Sequence, residues 1–374
     1  MKILFIFGTR PEAIKMAPAV KAFRGDDRFD TTVCVTGQHR SMLDQVLDLF
    51  GIVPDIDLDI MRDEQTLTDV TVATLTGLKQ VFASEQPDAV LVHGDTTTAM
   101  AASLAAFYAH IRVGHVEAGL RTGDLQAPWP EEMNRRFVDL VGHWMFAPTE
   151  ISAEALRREG VEDERIFVTG NTVIDALLDV VEDIGTDAAK KAAPDARFDF
   201  LDPAKRLIAV TGHRRENFDG GLERMCSALA RLAQRGDVEI VYPVHLNENV
   251  QRAAKSVLAD APGVHLIEPQ DYLPFVYLMD RSHLIITDSG GIQEEAPSLG
   301  KPVLVTRDVT ERPEAVDAGT CQLVGTDPER IVSAAETLLD NETEYQRVSA
   351  ISNPYGDGQA AARILDAMAK CISN

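Results

Sequence analysis

The segment HLIITDSGGIQEE (residues 283–295) joins a short apolar run to a polar segment with helical character. The run is typical of a buried strand, and Gly290 and Gly291 stand where the chain must turn into the helix. At such a junction free backbone N–H groups and the positive end of the helix dipole attract anions. For an isolated Ser-Gly-Gly, a helix cap at Ser289 followed by a plain turn is the commoner explanation. The segment therefore predicts a βα unit, and other residues must decide whether its turn binds an anion.

Eight further apolar runs alternate with longer segments of helical periodicity, as in parallel sheets built from βαβ units. Those in the first half are KILFIFG (2–8), TTVCVTG (31–37), AVLVHGD (89–95) and RVGHVEAG (112–119). Those in the second half are RLIAVTGH (206–213), VEIVYPVH (238–245), VHLIEP (264–269) and KPVLVTR (301–307). The pattern predicts an α/β protein with two Rossmann-like domains facing a cleft.

The chain length agrees with two domains, because 374 residues, 45% of them hydrophobic, can form two cores of ordinary size. The segment after Gly170 opens as a helix and then becomes polar and proline-punctuated, so the boundary is expected near Gly170. We predict an N-terminal domain over residues 1–170 and a C-terminal domain over 171–355. The closing segment, 356–374, has apolar residues on one helical face and is expected to pack back on the first domain.

Charge and cysteine usage exclude several classes of protein. The formal net charge of −23 argues against general binding to nucleic acid or to an anionic membrane, since both need a basic surface. The four cysteines lack C-x-x-C spacing, which favours a reducing compartment over disulfides or a zinc site. The N-terminal apolar run is too short for a signal peptide, and no run is long enough to span a membrane. We therefore expect a cytoplasmic protein.

Charged residues follow several predicted strands, at the edge where open α/β sheets bind ligands. FGTRPE is not a G-x-G-x-x-G motif and SLGKP is not a P-loop, so neither NAD nor a P-loop nucleotide is indicated. Each charged residue alone also fits a turn or a satisfied buried group. Together they predict a site with both cations and carboxylates. These residues are Arg10, Asp95, Glu117, His213, Arg214 and His245.

Longer motifs carry a resemblance to a known family. They include FGTRPEAIKMAP, TGQHRSML, VHGDTTT, GHVEAGLRTGD, PWPEEMNRR, TGNTVIDAL, VTGHRREN, PVHLN and DSGGIQEEAPSLGKPVLVTRDVTERPEAV. Over nearly its whole length the chain resembles the bacterial non-hydrolysing UDP-N-acetylglucosamine 2-epimerases. The resemblance implies a glycosyltransferase-B-like fold, UDP-GlcNAc and UDP-ManNAc as substrate and product, no cofactor and no metal, and a homodimer. It also implies a role in supplying ManNAc-type sugars for surface polysaccharides.

The resemblance also implies roles for individual residues. The turn formed by Ser289, Gly290 and Gly291 is expected to hold the UDP diphosphate, and Glu295 the ribose hydroxyls. Such a diphosphate suits backbone N–H groups together with cations. The remaining residues implied in binding phosphate or sugar are Arg10, Lys15, His213 and Arg312, and those implied in binding uracil are Gln270 and Phe275.

Three carboxylates, those of Asp95, Glu117 and Glu131, match family positions tied to catalysis. C2 of the sugar lies beside no carbonyl, so the reaction must begin with departure of UDP from C1. That departure acidifies the C2 hydrogen, and a carboxylate then removes it to give a 2-acetamidoglucal. Which carboxylate acts at C2 is left open. His213 is expected to neutralise the leaving phosphate.

Some family members bind a second UDP-GlcNAc as an activator. The matching residues here are Gln38, His39, Arg40, Arg214 and His245, although the first three also fit a helix cap or the lining of the main cleft. Three other functions remain possible on this scaffold: a UDP-sugar glycosyltransferase, a hydrolysing 2-epimerase and a nucleotide-sugar sensor. The carboxylate trio argues against the sensor.

Overall fold

The chain forms two compact units in a computed structural model that describes residues 1–37, 40–62 and 64–372. The first unit comprises Met1–Ala176 and Gly356–Asn374, and the second comprises Leu177–Tyr355. Helix α7 (Thr172–Thr186) begins in the first unit and ends in the second, so the division lies within it. The predicted boundary after residue 170 lies just before this helix.

The first unit is built on a seven-stranded parallel sheet in the order β3-β2-β1-β4-β5-β6-β7. Its strands are β1 (Lys2–Phe7), β2 (Asp30–Val35), β3 (Ile56–Asp57), β4 (Ala89–His93), β5 (Arg112–Val116), β6 (Trp144–Ala147) and β7 (Ile166–Val168). Besides α7, its helices are α1 (Arg10–Arg24), α2 (Arg40–Phe50), α3 (Leu67–Glu85), α4 (Thr97–Tyr108), α5 (Glu131–Val141), α6 (Glu150–Arg158) and the last helix of the chain, α16 (Ala360–Ile372). Helix α16 packs against α1.

The second unit is built on a six-stranded parallel sheet in the order β10-β9-β8-β11-β12-β13. Its strands are β8 (Arg206–Thr211), β9 (Val238–Pro243), β10 (Val264–Ile267), β11 (Leu284–Thr287), β12 (Val303–Val305) and β13 (Cys321–Leu323). Its helices are α8 (Ala188–Arg197), α9 (Gly221–Ala233), α10 (Glu248–Leu258), α11 (Tyr272–Arg281), α12 (Gly290–Glu295), α13 (Pro313–Ala318), α14 (Pro328–Asp340) and α15 (Glu342–Ser349).

Burial explains why the central strands are continuous apolar runs. Residues 3–7 of β1 are fully buried, as expected for a parallel strand covered by helices on both faces. In the second unit, Ile208, Ile240 and Ile286 of three central strands pack into one core with α9, α10 and α14. Because all strands in each sheet are parallel, the residues that follow them lie at one edge of that sheet.

All nine predicted strands form, and the α/β prediction is confirmed by the two parallel sheets. The sequence analysis missed β3, β6, β7 and β13, which have only two to four residues each. Three of these strands lie at a sheet edge and β6 lies next to one, and such short runs give little periodic signal. Within the described ranges, no helix combines the length and apolar character needed to cross a membrane.

Candidate functional site

Glu117 follows β5 and is the centre of a buried ionic cluster in the first unit. Its Oε2 atom accepts a hydrogen bond from Lys15 Nζ and lies 3.0 Å from Nε2 of His93. Burial raises the pKa of Glu117, but Lys15 and His93 outweigh this effect and hold the pKa well below its ordinary value. The Glu117 side chain is 9% exposed and is ionised at neutral pH. The cluster therefore keeps a partly desolvated, charged carboxylate at the edge of the sheet where β5 ends.

The backbone of Glu117 is itself unusual, with φ of 70° in the left-handed region. A residue with a Cβ atom is disfavoured there by about 1–2 kcal/mol. The N–H groups of Glu117 and Ala118 both donate to the carbonyl of Phe146, at 3.0 and 3.1 Å, which holds this conformation. A strained residue at a strand end is a feature common at functional sites.

Asp95 follows β4 and is fixed by two residues of α5. The Arg135 guanidinium donates to the Asp95 carboxylate, and Asn134 Nδ2 donates to the Asp95 backbone carbonyl at 2.8 Å. Arg135 is 9% exposed, so its charge is poorly solvated without an anionic partner. Asp95 is therefore an oriented carboxylate in an ion pair.

The two glutamates that open α5 have different surroundings. Glu132 is fully buried and accepts the backbone N–H groups of Thr122 and Gly123, at 3.0 and 3.2 Å. Glu131 has a buried Oε2 atom with no hydrogen-bond partner within residues 1–37, 40–62 and 64–372. Glu132 thus anchors the helix to the preceding loop, whereas Glu131 retains hydrogen-bonding capacity for another group.

Arg10 is the first residue of α1, and the turn before it is fixed by Glu12. The buried Glu12 carboxylate accepts N–H groups from Gly8 at 3.0 Å and Thr9 at 2.8 Å, and the hydroxyl of Thr96 at 2.6 Å. Thr96 directly follows Asp95. Glu12 therefore ties the start of α1, with Arg10, to the turn between β4 and α4.

In the second unit, Asp288 joins two neighbouring strand ends. It follows β11, is fully buried, and accepts the backbone N–H groups of His213 and Arg214, each at 2.8 Å. The Oγ1 atoms of Thr211 and Thr287 lie 2.6 Å apart at the ends of β8 and β11. The segment after β8 is thus locked to the Ser-Gly-Gly turn after β11.

Two guanidinium groups lie beside that turn. A Cβ atom added to Gly290 would lie 3.7 Å from Cζ of Arg312 and 3.9 Å from Nη2 of Arg214. Arg312 also donates from Nε to the carboxylate of Glu294. Helix α12 has only six residues, so these cations are a stronger source of positive potential than its dipole. The turn therefore combines close backbone access with two planar donors suited to phosphate.

His213 lies at the same edge, with its ring stacked on that of His245 at 5.2 Å between centroids and 17° between planes. Burial lowers the pKa of His213, and the nearby His245 and Arg214 lower it further. Asp288 opposes them, but the net pKa is below the ordinary value. Without an added anion, His213 is therefore mainly neutral at pH 7.

The residues predicted to bind ribose and uracil lie nearby in the chain and in the fold. Glu295, 9% exposed, ends α12, and its Oε1 atom lies 3.8 Å from the Cβ position of Gly291. Gln270 precedes α11 and Phe275 is partly buried on it. Helix α11 packs against the 3-10 helix that follows Glu295. The packing of these two helices brings α11 close to the segment that follows Glu295.

Some residues of interest were missed by the sequence analysis, and some predicted ones are not described. His93 and Asp288 lie at the ends of buried strands, the same kind of position that identified Asp95 and Glu117 as candidates. They were missed because the role of the HGD motif was assigned to Asp95, and that of the DSGG motif to the serine and glycines. Gln38 and His39 lie outside the described residues, and Arg40 begins α2 with its side chain undescribed. The other residues that the sequence analysis missed are Glu12, Glu132 and Arg135.

The described ranges contain no group of three or more His, Cys, Asp or Glu side chains placed to hold a metal ion.

Known proteins resemble this chain over almost its whole length. A family model described as UDP-N-acetylglucosamine 2-epimerase matches residues 21–369. The UDP-N-acetylglucosamine 2-epimerase of Escherichia coli (strain K12) is 59% identical over 369 residues, covering 98% of each chain. The crystal structure of UDP-GlcNAc 2-epimerase from Neisseria meningitidis bound to UDP-GlcNAc has a TM-score of 0.89 at 49% identity, covering 99% of this chain and 100% of that one. A putative UDP-N-acetylglucosamine 2-epimerase from Listeria monocytogenes has a TM-score of 0.90 at 45% identity, covering 100% and 96%.

These likenesses confirm the predicted fold class, two Rossmann-like α/β domains of the glycosyltransferase-B-like type. They also confirm the resemblance drawn from the motifs, because the match covers 98% of the chain and so includes both units. The chain therefore belongs to the UDP-N-acetylglucosamine 2-epimerase family.

Proposed function

We propose that this protein is an isomerase that interconverts UDP-GlcNAc and UDP-ManNAc by inverting C2. The observation that carries the proposal is the cluster of Glu117, Lys15 and His93, which holds a buried carboxylate in its charged form. Stabilising that arrangement around a strained backbone is of little use to a protein that only binds a nucleotide sugar. In a member of this family, the charged Glu117 carboxylate is the kind of group that proton transfer requires.

The chemistry begins at C1. The C1–O bond breaks and its electron pair leaves with the β-phosphate oxygen of UDP, giving C1 oxocarbenium character. A carboxylate then takes the C2 proton, and the C2–H electron pair forms the double bond of 2-acetamidoglucal. Protonation at C2 on the opposite face and return of the UDP oxygen to C1 give the epimer. The product, UDP-ManNAc, keeps all atoms of UDP-GlcNAc except the exchanged C2 proton, so no redox cofactor is needed.

The three carboxylates have different surroundings, which suit them to different roles. Glu117, with its lowered pKa, suits the base that takes a proton from one face. Glu131, with an unpartnered buried oxygen among the described residues, suits proton exchange at the other face. Asp95 is already paired with Arg135 and is suited to orienting the sugar. The reverse reaction exchanges the roles of acid and base.

The UDP moiety is assigned to the second unit. Backbone groups at Ser289, Gly290 and Gly291 would contact the diphosphate, flanked by Arg312, and Glu295 would accept the ribose hydroxyls. The other residues assigned to phosphate, sugar or uracil are Arg10, Lys15, His213, Gln270 and Phe275. Gln38, His39, Arg40, Arg214 and His245 stay candidates for binding an activating second UDP-GlcNAc, and Arg214, beside Gly290, is also placed to contact the diphosphate.

A homodimer is supported by an apolar face of the first unit. A groove of about 1040 Å³ between α3 and α4 is lined by Leu75, Phe82 and Tyr108 among others. Tyr108 in this lining is 70% exposed, and its neighbour in the chain, Phe107, is 56% exposed. On a chain with a net charge of −23, a face poor in charge is where two like-charged copies can meet with little repulsion. Cytoplasmic location and a role in polysaccharide supply remain predictions.

The direct test is incubation of the pure protein with UDP-GlcNAc, followed by phosphorus and proton NMR. We expect an equilibrium mixture of UDP-GlcNAc and UDP-ManNAc, reached also from pure UDP-ManNAc containing a trace of UDP-GlcNAc. Stoichiometric free ManNAc and UDP would identify a hydrolysing enzyme instead. Binding without turnover would favour the sensor, or a glycosyltransferase that lacks its acceptor.

A further inference from the structure

Asp288 presents its two carboxylate oxygens to two different parts of one residue. Oδ2 accepts the backbone N–H of His213 at 2.8 Å, together with that of Arg214. Oδ1 is buried, has no hydrogen-bond partner in the described part of the chain, and lies 3.7 Å from Nδ1 of the His213 ring. The carboxylate therefore fixes the main chain of His213 and faces its imidazole at the same time.

We propose that Asp288 is a positioning residue that orients the His213 imidazole and favours its protonated form opposite the leaving diphosphate. The proposal rests on the proposed function, since it concerns the group that leaves C1. An Nδ1–H directed at Asp288 turns Nε2 away from the carboxylate and makes it available to a phosphate oxygen. The distance of 3.7 Å is too long for a hydrogen bond, and such contacts commonly shorten when substrate binds.

The charges around His213 explain why an anionic partner is needed. His245 stacks on the ring and Arg214 is the next residue, and both disfavour a positive imidazole, as does burial. Asp288 is the charged group that opposes them. When the diphosphate arrives, its charge adds to that of Asp288, and His213 takes up a proton. During C1–O cleavage the imidazolium keeps both protons and stabilises the oxygen that receives the electron pair.

The first test needs no turnover, and it needs a variant only to assign signals. Nitrogen-15 imidazole spectra of the ligand-free wild-type protein report which ring nitrogen carries the proton, with the His213 signals assigned by their loss in His213→Asn. We expect the neutral ring of His213 to carry its proton on Nδ1. A proton held on Nε2 would overturn the proposal, and this result is independent of whether the protein is an epimerase.

Asp288→Asn tests the charge. The amide oxygen can still accept the two backbone N–H groups, while the amide NH2 replaces the oxygen that faces the ring. We expect the pKa of His213, measured by NMR titration, to fall by about one pH unit. Asp175→Asn is the matched control, because Asp175 is also a buried carboxylate that accepts two backbone N–H groups, from Ala360 at 3.2 Å and Ala361 at 2.8 Å. An unchanged His213 pKa in Asp288→Asn would contradict the proposal.

Kinetics then separate positioning from a purely structural role. For Asp288→Asn we expect kcat to fall about 10- to 100-fold with KM within about threefold of wild type. In a protein that already carries His213→Asn, adding Asp288→Asn should lower kcat by less than about threefold more, because both changes remove the same interaction. The alkaline limb of the wild-type kcat–pH profile should move to lower pH in Asp288→Asn. If the losses of kcat in the two single variants add in the double variant and the kcat–pH profile does not move, the role assigned to Asp288 is overturned. A wild-type protein without epimerase activity would instead overturn the proposed function.

Discussion

The Oε2 atom of Glu117 lies 3.0 Å from Nε2 of His93, so the residue that ends β4 meets the residue that follows β5. The two strands are paired in parallel, and their register places His93 opposite Val116. Lys15, from α1, completes the cluster. The sheet order β1-β4-β5 is therefore what brings together three side chains that are distant in sequence.

Lys15→Met is expected to change the pH dependence of activity. Without the ammonium group, Lys15 no longer offsets burial and the pKa of Glu117 rises, by about one to three pH units, although His93 still lowers it. Because Glu117 acts as the carboxylate, the acid limb of the kcat/KM–pH profile should move to higher pH. Lys21→Met, an exposed change on the same helix, is the control. An acid limb at the wild-type position in Lys15→Met would remove Glu117 from the role of base.

Asp139→Asn is expected to destabilise the first unit without touching the proposed substrate. Asp139 is 2% exposed and accepts from His115 Nδ1 at 2.6 Å, and it pairs with Arg121 Nη2 at 2.8 Å. Removing one partner from such a buried network costs about 3–5 kcal/mol in the free energy of unfolding, measurable by urea denaturation at pH 7. A loss below about 1 kcal/mol would contradict this account of the network.

The same variant tests the pH dependence of stability. Burial raises the pKa of Asp139, but His115 and Arg121 outweigh it and the net pKa is lowered. The stabilisation is therefore present above the ordinary carboxyl pKa and is lost as pH falls through the folded-state value. The wild-type and Asp139→Asn unfolding free energies should converge in acid. A difference that stays constant from pH 7 to pH 3 would show that Asp139 does not titrate as described.

The positions of the longer strands followed from the sequence more readily than the contacts between side chains. Continuous apolar runs such as residues 3–7 identify buried parallel strands, because burial on both faces leaves no alternation. The short β13 carries no such signal. The partnership of Asp95 with Arg135, 40 residues apart, depends on how α5 packs and has no local signature. Residue types at strand ends thus predict where a site lies, but not which of its carboxylates is paired.

The two guanidinium groups beside Gly290 are expected to bind the diphosphate rather than the nucleoside. Arg214→Ala and Arg312→Ala should each weaken UDP binding about 10- to 100-fold, since each removes a hydrogen bond between charged groups. Uridine, which lacks the diphosphate, should bind the variants and wild type alike. Arg231→Ala, on the surface of α9, is the control for loss of charge alone. If the variants bind UDP and uridine more weakly by the same factor, the arginines do not act through the diphosphate.

The apolar face on α3 and α4 is expected to join two copies of the chain. Wild type should sediment with twice the mass of the 40.9 kDa chain, and Phe107→Asp combined with Tyr108→Asp should sediment as a monomer. A buried unpaired carboxylate is costly at an interface, so two per subunit are enough to separate the copies. Val53→Asp, at another exposed apolar residue of the same unit, should leave the mass unchanged. A double variant that keeps the wild-type mass would exclude this face.

The central claim is that Glu117 and its neighbours move a proton at C2, and it is tested most directly by turnover in deuterated water. UDP-GlcNAc is incubated with the protein until equilibrium is approached over many turnovers, and C2 is examined by NMR and mass spectrometry. The proposed mechanism predicts deuterium at C2 of the UDP-ManNAc that forms and, with time, of the UDP-GlcNAc that remains. UDP-ManNAc that still carries only the original hydrogen at C2 after many turnovers would contradict proton transfer through exchangeable carboxylates, and with it the account of this site.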